Sequence, residues 1–241
     1  MDSGCMIGMA ILIMGLVAVC VIQWVQNQKL KEKNREMEEQ LRETDMSIML
    51  SQIQPHFLYN SLSAIRELCL EDPEEAPRAL EEFSAFLRGN MDSLRSKVPV
   101  PFSRELEHVK HYLHLEQIRF GNDLRVEYDI REEDFFLPTL TIQPIVENAV
   151  KYGVGNKEEG GTVRISTCRE GEKIVITVED DGIGFDVDEI EHIPVQKDGR
   201  THIGLSNVKH RLKKMVNGTM TIHSRRETGT IVRITLDAEH R

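Results

Sequence analysis

"QPIVENAVKYG", Gln143 to Gly153, reads as a short apolar helix interrupted where an all-apolar helix would be expected. Pro144 suits its first turn, where a missing N–H is no loss. Glu147 and Asn148 then break the apolar run, and Lys151 follows Asn148 by three residues, so the two share a face. A carboxamide oxygen can coordinate Mg²⁺, a lysine one turn on can meet phosphate oxygens, and Tyr152 can stack on a base. By itself the stretch fits a partly exposed helix face at least as well.

Two stretches further on carry the same double meaning. In "VEDDGIGFD", Val178 to Asp186, a strand runs into Asp180, Asp181, Gly182, Ile183 and Gly184. Glycines after a strand let the backbone pass close to a ligand, and an aspartate at a strand end can accept a hydrogen bond from an adenine amino group. A plain acidic turn accounts for it too. "GRTHIGLSNVKHRL", from Gly199, sets Gly199 and Gly204 ahead of a helix expected over Leu205 to Val216, whose N-terminus can hold phosphate. Between these stretches, Phe185 to His202 is rich in Gly, Pro and charge and is long enough for a mobile lid.

Around them the chain alternates strand and helix patterns. Leu124 to Ile130 alternates as a strand. "TVRISTC" and "KIVITVED" are strands joined through "REGE" as a hairpin, and "TMTIHS" and "TIVRITL" pair around "RRETG". Helices are expected over Leu140 to Tyr152 and over Arg104 to Arg119, the latter capped by Ser103 and ended by Gly121. Hairpins mixed with helices indicate an α+β fold, a mixed sheet layered against helices.

The N-terminal half has a different texture. "SQIQPHFLYNSLSAI", Ser51 to Ile65, continues as a helix to Cys69 or Leu70, and "EDPEEAP" breaks it. A second helix carries Leu80, Phe83, Leu87, Met91 and Leu94 at helical spacing. Two such stripes make a helical hairpin, and two hairpins make a four-helix bundle, so a homodimer is expected. Pro55 cannot donate to the carbonyl of Ser51, a loss of about 3 kcal/mol in a helix interior, and it predicts a bend beside His56. Leu30, Asn34, Met37, Leu41, Thr44 and Ile48 form a heptad-like seam before the hairpin. His108, His111 and His114 recur every three residues; metal binding is one reading, a polar or interdomain helix face the other.

Met6 to Val25 holds 20 residues without a charge, enough to span about 30 Å of hydrocarbon as a helix. Gln23 and Trp24 suit the interface, and Lys29, Lys31, Lys33 and Arg35 place the C-terminal side of this run in the cytoplasm. The expectation is a single-pass protein of the cell membrane. With so little chain outside, a membrane-protein sensor partner is a candidate source of its signal. The net charge of -10 argues against a nucleic-acid surface, and the cysteines Cys5, Cys20, Cys69 and Cys168 form no CxxC pair.

Taken in this order, "QPIVENAVKYG", "VEDDGIGFD" and "GRTHIGLSNVKHRL" resemble the N, G1 and G2 boxes of the Bergerat-type ATP-binding domain of sensor histidine kinases, gyrase-type ATPases and Hsp90-like chaperones. "QIQPHFLYNSL" resembles the phosphoacceptor box of the LytS/YesM-like sensor histidine kinases, and "ELEHVKHYLHLEQIRFGNDLRVEYDI" the segment joining the two domains in that group. The resemblance implies a C-terminal α/β sandwich over 124–241 that binds ATP and Mg²⁺. It also implies a connecting helix over 101–123; the seam and stripes before it give a coiled coil and dimerisation hairpin over 27–100, and the uncharged run gives a membrane anchor over 1–26.

His56 would be the phosphoacceptor, with Asn60 one turn on to orient its ring. Asn148 would hold Mg²⁺, Lys151 approach the phosphates and Tyr152 the adenine. Asp180 would bind the adenine amino group, with Gly182 and Gly184 shaping its pocket and Gly204 and Leu205 near the phosphates. A cognate response regulator would then take the phosphoryl group on an aspartate. The gyrase-type ATPases carry a glutamate where this chain has Pro144, so transfer is favoured over hydrolysis. His202 stands where a G2 glycine is usual, which bears on lid geometry. The competing function is a catalytically weak pseudo-kinase, or an adaptor that dimerises with another kinase.

Overall fold

The computed structural model describes residues 23–24, 26–29, 31–33, 55–96, 98–186 and 200–238. The chain divides into two units, Met1–Gln52 and Ile53–Arg241. In the first, the described residues are helical and exposed. The heptad-like seam, the bend ahead of Pro55 and most of Met6 to Val25 lie outside the described residues. Among the described residues no helix is long and apolar enough to cross a membrane.

The second unit opens with helix α1 (Pro55–Glu71) and helix α2 (Ala76–Arg95), joined by a short turn. A two-residue strand β1 (Val100–Pro101) leads into helix α3 (Phe102–Phe120). Strand β2 (Leu124–Ile130) and the short β3 (Phe136–Leu137) come next, then helix α4 (Gln143–Asn148), which runs on as a π-helical turn, Ala149–Gly153. Strands β4 (Gly161–Glu170) and β5 (Lys173–Asp180) form a hairpin. Helix α5 (Arg200–Val216) and strands β6 (Thr219–Arg225) and β7 (Gly229–Asp237) complete the chain.

The five-stranded sheet has the order β2-β4-β5-β7-β6. β2 lies parallel to β4, and every other neighbour is antiparallel. Val163 and Ile165 of β4, Ile176 and Val178 of β5 and Ile234 and Leu236 of β7 are buried. They meet a helical layer supplied by Ile145 and Val146 of α4 and Val208 and Leu212 of α5, also buried. Each buried aliphatic of this kind contributes roughly 1.5–3 kcal/mol. The other face is polar, with Arg164 paired to Glu127 and Arg233 to Glu170. The mixed sheet against helices agrees with the α+β expectation.

Helix α3 is the surprise of the architecture. It reads as a linker, yet Phe102, Leu106, Val109, Tyr112, Leu113 and Leu115 are all buried, and it contacts α1, α2, α4 and β2. The hairpin packs on one side of it and the sheet domain on the other. Phe57 of α1, Phe86 of α2 and Tyr112 of α3 form one aromatic cluster, with Phe57 4.9 Å from Phe86 and 5.1 Å from Tyr112 between ring centroids. Such pairs add about 0.5–1.5 kcal/mol beyond burial.

Four local expectations are corrected. α2 turns Ala79, Phe83, Phe86 and Asn90 inward, so of the expected stripe Phe83 is buried while Leu80 is 51% exposed. Ser103 does not cap α3: the cap position is Pro101, with no side-chain hydrogen bond, although Gly121 does end the helix at φ +56°. Leu140 is not helical: it has φ +55°, and α4 begins at Gln143. α5 opens at Arg200 rather than Leu205. His202, where a G2 glycine is usual, is a better helix former than glycine and lets the helix extend.

The strained turn at Leu140 is held by Glu105 of α3. Its buried carboxylate accepts the backbone N–H groups of Leu140 (2.7 Å), Thr141 (3.0 Å) and Ile142 (3.3 Å). Burial pushes its pKa up, and the three N–H groups pull the other way. Arg211 of α5 closes the corner by donating to the carbonyl of Leu140 at 2.7 Å. This clamp fixes where α4 starts, and therefore where Asn148 and Lys151 lie.

Candidate functional site

His56 sits in the first turn of α1, exposed, with Pro55 before it and the buried Phe57 after it. Phe57 anchors the turn in the aromatic cluster, which leaves the imidazole at the surface of the hairpin. The carboxamide nitrogen of Asn60 lies 3.0 Å from Nδ1 and 3.3 Å from Nε2 of His56. Asn60 is therefore placed to fix the ring.

The imidazole faces a cleft of about 210 Å³ between α1, α3 and α4 with its π-helical turn. Tyr112, Glu116 and Arg119 of α3 line it from one side, Glu147, Lys151 and Asn156 from the other. His56 and Lys151, 95 positions apart, thus line one cavity. Lys151 is exposed, its ammonium 4.7 Å from the centre of the Tyr152 ring. The π-helical turn itself is a local irregularity of a kind that recurs at functional sites.

Glu147 is held from behind. The amide of Gln143 donates to it at 2.6 Å and to Asn90 of α2 at 3.3 Å, while His108 Nε2 donates to the Gln143 carbonyl at 2.7 Å. His108 stacks on Phe86 at 5.0 Å, against a Gly89 that leaves it room. Burial lowers the pKa of His108, favouring the neutral ring this network needs. His114 meets Glu82 of α2. His108 and His114 thus contact the hairpin rather than a shared metal. Among the described residues no group of three His, Cys, Asp or Glu could hold one.

The Asp180 turn is built by close backbone approach. Asp180 is 5% exposed and accepts the N–H of Gly182 at 3.0 Å. Burial pushes its pKa up to about 6, against the pull of the backbone donors of Gly182 and Thr230. A side chain at Gly153 would strike the Asp180 carboxylate, and one at Gly182 would strike the Gly153 backbone. Ile183 donates to the carbonyl of Gly153 at 3.4 Å, so the end of the π-helical turn is stitched to the turn after β5. Gly184, at φ +56°, lies against the carbonyl of Arg225. Asp181 turns away, taking the N–H of Thr162 at 2.6 Å.

Residues 44–124 match the Histidine kinase family, and residues 136–240 match the Histidine kinase-, DNA gyrase B-, and HSP90-like ATPase family. The sensor histidine kinase YesM of Bacillus subtilis (strain 168) is 31% identical over 212 residues, 86% of this chain and 36% of that protein. The chain belongs to the LytS/YesM-like sensor histidine kinases. That is a family of ATP-dependent protein-histidine kinases of two-component systems. The chain is also 34% identical over 215 residues to the sensor histidine kinase YpdA of Escherichia coli (strain K12), 89% of this chain and 38% of that protein. It is 38% identical over 190 residues to the protein YwpD of Bacillus subtilis (strain 168), 78% of this chain and 68% of that protein. It therefore spans about two thirds of one relative and less than two fifths of the others.

In this chain the expected residues fall into two linked groups. His56 and Lys151 line the cleft, with Asn60 beside the His56 ring; Asp180, Gly182 and Gly184 belong to the glycine-packed turn; Lys151 and Gly153 join them through two residues of backbone. Asn148 is half-buried, and among the described residues its carboxamide takes no protein hydrogen bond. That suits a residue that would hold Mg²⁺ through its carboxamide oxygen. Tyr152 is 38% exposed. Gly204 and Leu205 lie inside α5 rather than ahead of it, so the free N–H groups of that helix belong to its first turn, from Arg200. Most of the expected lid lies outside the described residues. Sequence reasoning missed Gly153, whose only signal was its place at the end of the box, and Arg119, which had none.

Proposed function

We propose that this chain is a membrane-anchored, homodimeric autokinase that moves the γ-phosphoryl group of ATP to His56 and from there to an aspartate of a cognate response regulator. The observation that carries the reading is the shared cleft. The histidine of the phosphoacceptor box and the lysine of the nucleotide box line one cavity, and the same turn that carries the lysine packs onto Asp180.

In that reading the carboxylate of Asp180 accepts the adenine amino group, and Tyr152 stacks on the base. Lys151 meets the phosphate oxygens, and Asn148 is the residue that would hold Mg²⁺. Bound Mg²⁺ would neutralise phosphate charge. A ring nitrogen of neutral His56 gives its lone pair to the γ-phosphorus, forming an N–P bond. The bond to the bridging oxygen breaks and ADP leaves with that electron pair. The proton on the other ring nitrogen then passes to water or a nearby carboxylate. Neutral imidazole needs little base assistance, so positioning by Asn60 and charge neutralisation supply most of the rate.

Tyr59, Leu62, Leu70 and Leu80 are exposed on the hairpin, an apolar face that supports pairing with a second copy. The uncharged run from Met6 to Val25, with Lys29, Lys31, Lys33 and Arg35 after it, supports a membrane anchor, with the catalytic unit in the cytoplasm and a membrane-protein partner as signal source.

Purified protein given labelled Mg-ATP is expected to gain acid-labile, alkali-stable phosphate, and His56→Gln to gain none. Undiminished label in that variant rules out His56 as acceptor. Absence of label in the unaltered chain favours the adaptor reading.

A further inference from the structure

We propose that Arg119 is the second cation of the transfer cleft, binding phosphoryl oxygens as the group passes to His56. This rests on the autokinase reading and extends it to a residue of the connecting helix. In phosphoryl transfer, charge spreads over three equatorial oxygens. Lys151 offers a single point charge, whereas a guanidinium fork meets two oxygens at once.

Arg119 stands beside the His56 turn on two sides. It lines the cleft with His56 and Lys151, and also the neighbouring groove with Asn60 and Glu67. Its orientation is set in advance. Nη1 donates to Glu116 at 2.8 Å, and the guanidinium lies 4.3 Å from the centre of the Phe120 ring. Its side chain is 31% exposed, so the fork is not sealed off. Glu116 is buried, and burial pushes its pKa up against the pull of Arg119. The second carboxylate of the cleft, Glu147, accepts a hydrogen bond from Gln143.

The competing role is structural: Arg119 would merely neutralise the buried Glu116. The two roles separate in a double variant. In the 241-residue chain, Arg119→Gln, Glu116→Gln and the pair together are compared for autophosphorylation with labelled Mg-ATP and for ADP affinity by calorimetry. Arg119→Gln is expected to lower kcat by about 100-fold, the scale of one preorganised charge-stabilising donor, with KM for ATP and Kd for ADP within about twofold. Glu116→Gln keeps an acceptor oxygen for the guanidinium and is expected to lower the rate far less than Arg119→Gln does, and the double variant stays as slow as Arg119→Gln. Recovery of the double variant to the unaltered rate overturns the proposal, because the arginine then served only the glutamate. A loss of ADP affinity that matches the loss of rate overturns it as well. If the unaltered chain labels on His56 and Arg119→Gln labels equally fast, this proposal fails and the autokinase reading stands. A chain that takes no label at all removes both.

Discussion

His56 and Asp180 are held in opposite ways. His56 lies on the surface of a helix, with Asn60 beside its ring and a cleft in front of it. Asp180 is nearly sealed, fixed by the N–H of Gly182, with Gly153 and Gly229 leaving no side chain between it and neighbouring backbone. An acceptor that must meet a nucleotide and later a second protein has to be reachable. A residue that must recognise one flat base works best when it cannot move. On the proposed reading these demands fall on different kinds of structure, a helix surface and a glycine-packed turn.

The largest expected effect breaks the comparison at both ends. His56→Gln and Asp180→Asn should each reduce labelling to background, but only Asp180→Asn should lose ADP binding in calorimetry. Parallel loss of binding in both would mean the two regions do not divide the work.

Gly153→Ala comes next. Its new methyl group meets the Asp180 carboxylate, so ADP affinity should fall more than about tenfold and the melting temperature should drop, overpacking costing about 1–3 kcal/mol. Unchanged ADP binding would show that the turn yields, contrary to its role here as the rigid partner.

A smaller, graded effect comes from pH. Burial holds Asp180 at a pKa of about 6, above its ordinary range. The ionised form that accepts the adenine amino group predominates above that value, so ADP affinity should fall as pH drops through it, approaching tenfold per unit. Stability runs the other way. This group's contribution is full below its unfolded pKa of about 3.9 and is lost as pH rises through about 6, so Asp180→Asn should flatten that slope. An ADP affinity that stays constant from about pH 7 to about pH 5 would remove the aspartate from recognition.

The smallest effect tests the exposed end. Asn60→Ala should slow labelling by about tenfold at most while leaving stability within about 0.5 kcal/mol, as expected of a surface side chain. A large loss of stability would show that the turn around His56 is built as tightly as the one around Asp180.

Much of this was legible in the sequence because its signals are local. Gly121 and Asn217-Gly218 mark helix ends, "REGE" marks a hairpin, and the boxes stand where strand and helix patterns meet. The rest depends on contacts between distant segments. Glu105, His108 and Glu116 make α3 look like a solvated linker. They are buried because backbone and side chains some 35 residues away, or an arginine one turn on, satisfy them. The inward face of α2 has the same origin: Ala79 and Phe86 are buried where α2 packs on α3, which periodicity within α2 does not reveal. No local pattern could say that Lys151 and His56 face one cavity.

Gly121 joins α3 to the short Gly121–Asp123 turn and so to β2, at the outer edge of the sheet. It holds φ +56° with open space where a side chain would be. A helix of 19 residues is about 28 Å long, so a tilt of about 10° about one end displaces the other by about 5 Å. Arg119 lies two residues from this glycine, so the end of the helix and the cleft sit side by side. α3 is thus a rod shared by the hairpin and the sheet domain, and a single glycine ends it just past the guanidinium that stands beside His56.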